Sequence, residues 1–174
     1  MELRKLLPLI ALLSAIAMPV TAGWNMGAGY TNFSSDHNLV NINLKGVTFS
    51  AGYEFKQKGS NFTWMPEFRY GFGIGDDTVY TGGADVRFEA DNFIAVGVRG
   101  TYHVSPEFNL FFQPSYANLE VTASVLDQSV SEDDWEFGYG GGFAFNATER
   151  ASLELLYENF DETDVVSAGF RYRF

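Results

Sequence analysis

Two histidines, no cysteine and an uneven spread of carboxylates set the chemistry open to this chain of 174 residues. The absence of cysteine removes a disulfide framework, a thiolate nucleophile and any Cys-ligated zinc site. Hydrolytic chemistry would need a serine or an acid paired with histidine. His37 stands near Ser34, Ser35 and Asp36 and could meet Ser131 or Asp161 in space, whereas His103 lies far along the chain. Neither belongs to a recognisable catalytic motif. The acids Asp76-Asp77, Glu132-Asp133-Asp134 and Asp161-Glu162 with Asp164 fall in polar stretches. They lack the glycine-spaced ligand order of a calcium loop and read as solvated surface, so no metal and no cofactor is assigned. Asn146-Ala147-Thr148 matches a glycosylation sequon by chance. The formal net charge of −11 argues against nucleic acid, whose phosphates want a basic face.

A second set of charges follows a different rule. Glu54, Glu67, Arg69, Arg99, Glu136, Glu154, Glu158, Arg171 and Arg173 each sit on the small, glycine-rich side of a period-two alternation. Such a period puts successive side chains on opposite faces of a strand. Trp24, Met26, Ala28 and Tyr30 alternate with Asn25, Gly27, Gly29 and Thr31; Val47 to Phe55, Phe62 to Phe72, Ile94 to Tyr102 and Phe108 to Tyr116 repeat the pattern. Trp135 to Phe145, Leu153 to Tyr157 and Val166 to Phe174 complete eight segments. The parity of the fourth extends back through Ala90, Phe88 and Val86, implying a strand that outruns the others. Pro66 and Pro114 fall within segments, each removing a ladder donor, and local bulges are expected there. Connections 56–61, 104–107 and 146–150 are short, whereas 34–43, 74–82 and 122–134 read as longer polar loops, with 160–164 the short exception at that end.

The first 22 residues stand apart: a basic start at Arg4 and Lys5, an apolar run from Leu6 to Val20, and small residues at Val20-Thr21-Ala22. That layout is a cleavable signal peptide, leaving 23–174 as one domain with a net charge near −12 once Glu2, Arg4 and Lys5 are removed. Its alternation is inverted relative to a water-soluble sheet. The uniform face carries Phe, Tyr and Trp, and the charges lie opposite among glycines. An aromatic exterior of that extent is far larger than the apolar patches soluble monomers expose. Lipid is the outer solvent that fits, and in hydrocarbon a sheet can span only by closing on itself. The expected architecture is all-β: an eight-stranded antiparallel up-and-down transmembrane β-barrel with short turns at one end and loops at the other. Trp24, Tyr30, Tyr102, Tyr116, Trp135 and Tyr157 would form the interfacial girdles.

The stretch Trp135-Glu-Phe-Gly-Tyr-Gly-Gly-Gly-Phe143 and the ending Ser167-Ala-Gly-Phe-Arg-Tyr-Arg-Phe174 resemble the closing strands of small OmpA/OmpX-like outer-membrane barrels, and the resemblance runs through residues 23–174. It implies residence in the bacterial outer membrane, contact with lipid and lipopolysaccharide, and recognition of Phe170, Tyr172 and Phe174 by the barrel-assembly machinery. The chain stops at Phe174, so the peptidoglycan-binding domain of full-length OmpA is not expected. Five inward glutamates and four inward arginines nearly balance, and an eight-stranded lumen is just wide enough for side chains to fill, so an ion-pair network is the expected interior. The leading reading is a non-enzymatic envelope protein whose outer loops contact a surface ligand. A narrow porin-like channel is the alternative, and a lipid-modifying enzyme, as some similar barrels are, is the remote one.

Overall fold

The computed structural model describes residues 20–37, 40–81, 84–125, 128–161 and 163–174. Residues 1–19 of the expected signal segment therefore lie outside the described residues. Nine strands follow in order: β1 Val20–His37, β2 Val40–Gln57, β3 Phe62–Gly73, β4 Asp76–Thr81, β5 Ala84–His103, β6 Phe108–Val125, β7 Gln128–Asn146, β8 Ala151–Phe160 and β9 Thr163–Arg173. All pairings are antiparallel. Strands β1, β2, β3, β5, β6, β7, β8 and β9 pair in sequence, and β1 pairs back onto β9 from Asn25↔Arg173 to Ser35↔Thr163. The result is the closed eight-stranded barrel expected from the alternation, and closure leaves no membrane-level sheet edge unpaired.

The exposed positions are the aromatic ones. Trp24, Tyr102, Phe112, Phe137 and Tyr139 are each more than half exposed, while Gln113 and Glu158 are wholly buried in the lumen. Neighbouring rings on the outer face brace adjacent strands, with Trp24 against Tyr53 at 5.1 Å and Phe55 stacked on Trp64 at 4.4 Å. One end carries the tight turns. At the first of these Gly59 takes φ 79°, a left-handed conformation that glycine adopts without a Cβ penalty, and Ser60 N–H donates to the Gln57 carbonyl at 3.1 Å. By the asymmetry of outer-membrane barrels this is the periplasmic end.

At the other end the structure corrects the sequence reading. Among the described residues of 34–43 and 122–134 the chain is paired strand and not polar loop, with Ser34↔Asn43 and Thr122↔Ser131 in register; Asp76–Thr81 forms β4, which pairs with β5 from Asp76↔Glu89 to Thr81↔Ala84. In water, polar hairpins keep their backbone hydrogen bonds as readily as a barrel does, so polarity alone did not mark where the strands ended. Strands of 18 to 20 residues such as β1, β2, β5, β6 and β7 far exceed the roughly 9–11 needed to cross the membrane. Their surplus projects outward as β-ribbons. The β8–β9 hairpin is short, and Asp161 takes φ 46° in its turn.

The prolines also behave differently from expectation. Register is continuous across both: the β2 partners of Pro66 and the β5 partners of Pro114 drop out of the ladder, while Pro66↔Val98 and Pro114↔Tyr139 hold on the other side. The missing donor costs one side of the ladder and does not insert a residue. The register shift among the described strand pairs lies instead at Asp91, where Ala90↔Val121 is followed by Asn92↔Glu120. Two steps on β5 match one on β6, which is a β-bulge. It reverses the parity above it, so Ala90 is buried and Phe88 packs against the interior cluster. The outward face expected for Phe88 and Ala90 is thus overturned.

Candidate functional site: the layered lumen

Inward side chains stack in three layers. The middle one is ionic and joins residues from five strands. Arg69 on β3 grips Glu158 on β8 through both guanidinium nitrogens, Nη1 to Oε2 at 2.5 Å and Nη2 to Oε1 at 2.7 Å. Ser115 Oγ donates to the same carboxylate at 2.8 Å and accepts from Arg69 Nη2 at 3.1 Å. Glu154 is shared by Arg99 at 2.7 Å and Arg171 at 2.9 Å. Glu67 meets Arg171 at 2.6 Å, lies 3.8 Å from both Arg69 and Arg99, and accepts from Gln113 Nε2 at 2.9 Å. The guanidinium of Arg99 also lies 4.0 Å from the centre of the Phe111 ring.

This layer contains three carboxylates and three guanidiniums, so it is neutral without help from water or ions. Glycine makes the room. A Cβ at Gly140 would run into the Glu158 side chain and the Tyr157 carbonyl, and one at Gly142 would meet the Phe111 ring. A void at this level, beside Glu67, Arg69 and Gly27, holds about 50 Å³.

Of the nine charges picked out from the alternation, the structure brings six together in this layer. Glu54 and Arg173 pair separately at 3.4 Å, nearer the periplasmic end. Glu136 stands higher, in the wall of the outer vestibule. Gln113 and Ser115 complete the network; their parity placed them inward, but being uncharged they were not singled out.

The periplasmic layer is polar. His103 Nδ1 lies 2.7 Å from Asn109 Oδ1 and Nε2 lies 3.4 Å from Thr63 Oγ1, and Asn109 Nδ2 donates to Asn146 Oδ1 at 3.1 Å. Thr63 is only 1% exposed, whereas His103 is half-buried and reaches the space beneath the layer. A vestibule of about 630 Å³ opens below it. The side chain of His37 lies outside the described residues.

The outer layer is one that sequence reading missed. Phe33, Leu44, Phe93, Ala95, Ala117, Phe160 and Val165 form a buried apolar cluster inside the lumen, and Arg69 lies 5.5 Å from the Phe93 ring centre beneath it. The signal was present: Phe33, Phe93 and Phe160 share the parity of the inward residues on their strands, but the rule that rings face lipid masked it. Above this layer a vestibule of about 390 Å³ opens to the outside.

The barrel-assembly candidates lie together on β9 and at its end. Phe170 and Phe174 are exposed at 47% and 66%, and the Tyr172 and Phe174 rings meet edge-on at 5.1 Å. Phe174 N–H donates to the Trp24 carbonyl at 2.9 Å, which ties the chain end into the barrel seam.

Comparison with solved structures finds the same architecture. Ail, the attachment invasion locus protein of Yersinia pestis, in complex with the heparin analogue sucrose octasulfate, aligns with a TM-score of 0.63 at 18% identity, covering 88% of this chain and 99% of that one. The Neisserial surface protein A, NspA, aligns with a TM-score of 0.61 at 11% identity, over 88% of this chain and 99% of that one. A de novo designed transmembrane β-barrel aligns with a TM-score of 0.51 at 16% identity, over 87% of this chain and 96% of that one. At such identities the likeness is one of fold. No curated protein sequence matches the chain. The family model for the outer membrane protein β-barrel domain, however, matches residues 6–174. With its closed eight-stranded topology and lipid-facing aromatic exterior, the chain belongs to the outer membrane protein β-barrel domain family and resides in the bacterial outer membrane.

Proposed function

We propose that this protein is a non-enzymatic surface-interaction protein: a closed barrel that holds outward-projecting hairpins against a partner outside the cell. One observation carries the reading. Glu67, Glu154 and Glu158 are each held by an arginine at 2.5–2.9 Å across the lumen, so the interior is filled by its own neutral network. Opening a path would require parting several of these contacts at once, with the cost of leaving charges unpaired.

The hairpins are where recognition is left to occur. Among the described side chains at the outer end the cations are Lys45 and Arg87, and the acids are Asp76, Asp77, Glu89, Asp91, Glu120, Asp133, Asp134, Glu136, Asp161 and Asp164. Arg87 is already committed to Asp76 at 3.0 Å and Glu89 at 2.9 Å. The surface ligand is therefore a cationic one, such as a basic protein segment, and not a sulfated polyanion of the kind bound to Ail. Lipid and lipopolysaccharide surround the barrel wall. Residues 1–22 serve as the cleaved export signal, so β1 of the mature chain begins at Gly23, opposite Glu54, without the Val20–Ala22 rungs, and Phe170, Tyr172 and Phe174 present the assembly signature.

The narrow-pore reading draws on the residual 50 Å³ void beside Glu67. Planar-bilayer conductance of refolded 23–174, beside an Arg69→Ala/Arg99→Ala variant, separates the two. Silence from folded parent protein and openings only in the variant support the closed platform; discrete parent openings shifted by the variant support the pore. For the surface role, protein in lipid nanodiscs should retain an oligolysine peptide at low salt and not a heparin fragment. The opposite preference would overturn the assignment of a cationic partner.

A further inference from the structure

Two small cavities, of about 10 and 20 Å³, lie on the periplasmic side of the ionic layer, and Asn146, Ser152, Arg171 and Arg173 line both. Asn25 on β1 lines the smaller one. The barrel seam begins at the same place, since Asn25↔Arg173 is the first rung between β1 and β9 at that end.

Three enclosed polar atoms meet here without a partner in the protein: Asn25 Oδ1, Arg171 Nη1 and Arg173 Nε. Asn25 is 1% exposed and Arg171 8%. Their remaining groups are committed. Asn25 Nδ2 donates to the Gly23 carbonyl at 3.3 Å, which orients the amide and leaves Oδ1 over. Arg171 places Nε on Glu154 at 2.9 Å and Nη2 on Glu67 at 2.6 Å, so Nη1 is the nitrogen left without a contact. An acceptor and a charged donor that stay buried and unmade are both costly.

Their opposite polarity identifies what fits between them. An anion would accept from the guanidinium groups but would face the lone pairs of Asn25 Oδ1. A cation would suit Asn25 and be repelled by two arginines. Nor do those arginines call for an ion, because Glu67 and Glu154 already face Arg171, and Glu54 faces Arg173 at 3.4 Å. A water molecule both accepts and donates, and roughly 10–15 Å³ suffices to hold one.

We propose that the smaller cavity is a structural water site that completes the β1–β9 seam. The water accepts from Arg171 Nη1 and donates to Asn25 Oδ1, with Arg173 Nε as a second donor. It links β1 to β9 beside the rung at which their pairing starts, and Ser152 brings β8 into the same wall. The periplasmic vestibule shares Asn146, Glu149 and Arg173 with this cavity, so the water enters from that side.

The test uses isotope-labelled 23–174 refolded in lipid nanodiscs and reads cross peaks between water and protein. The Asn25 side-chain amide and the Arg171 guanidinium should show NOE and ROE peaks of opposite sign, the mark of a held water, and these should be the same in sodium chloride and in sodium sulfate. Asn25→Leu removes the acceptor and should abolish the peaks. It should also speed hydrogen exchange of the Phe174 amide, which donates to the Trp24 carbonyl beside the site, by about tenfold. Absence of a held water in the parent, dependence of its signals on chloride, or their persistence in Asn25→Leu would overturn the proposal. The parent spectra decide the question even where the variant does not fold.

Discussion

Changing Glu67 to Gln removes one charge from the ionic layer while keeping side-chain shape. Three arginines lie within 3.8 Å of this carboxylate, and the substitution leaves two carboxylates for three guanidiniums. Removing one partner of a buried ion pair costs about 3–5 kcal/mol, because the other charge stays buried and uncompensated. Here each arginine retains a second carboxylate: Arg69 keeps Glu158 at 2.5 Å, and Arg99 and Arg171 keep Glu154 at 2.7 and 2.9 Å. The loss should therefore sit at the lower end, about 3 kcal/mol. Glu158→Gln should cost more, about 5 kcal/mol, since Arg69 would then face only the 3.8 Å contact to Glu67. Adding Arg171→Met to Glu67→Gln restores the balance of charge, and the double variant should be more stable than the sum of the two single losses predicts. Reversible urea unfolding in lipid vesicles, followed by the mobility difference between folded and boiled protein, measures all four. Glu67→Gln within about 0.5 kcal/mol of the parent, or strict additivity in the double variant, would show that water already screens the lumen and would refute the closed network.

Three further outcomes follow from particular contacts. Gly140→Val should destabilise the barrel by about 1–3 kcal/mol in the same unfolding assay, because the new side chain must displace Glu158, whereas Gly59→Ala at an open turn should act through its positive φ alone. Deleting Asp91 should abolish the bulge and leave Phe88 and Ala90 on the inward face, because Ala90↔Val121 would then follow Asn92↔Glu120 directly; a cysteine at position 88 should be labelled by a maleimide no faster than in the parent, whereas inserting a second residue beside Asp91 should break the pairing, and rapid labelling in the deletion would contradict the bulge assignment. Phe174→Ala should lower the yield of assembled barrel in cells more than it slows refolding of purified chain into vesicles, as measured by the folded band; equal effects in both would assign Phe174 to the seam with Trp24 and not to recognition by the assembly machinery.

Alternation alone decided a great deal. A side-chain period of two assigns faces without knowing any partner, and an aromatic face opposed to a glycine-and-charge face can be satisfied only with lipid outside, so barrel closure and the inward placement of Glu67, Arg69, Arg99, Glu154, Glu158 and Arg171 were legible from the chain. Parity says nothing about which inward residues meet. Arg69 and Glu158 stand 89 positions apart, and their contact across the lumen depends on the tilt and stagger with which the strands close. Nor could parity survive Asp91, where one extra residue exchanges the two faces and sends Phe88 inward. The ribbons at the outer end and the apolar layer at Phe33, Phe93 and Phe160 escaped for a related reason. Above the membrane the solvent no longer fixes which face is polar, so the strand ends and the lining of the vestibule are set by pairing and packing between distant segments, which only the folded barrel defines.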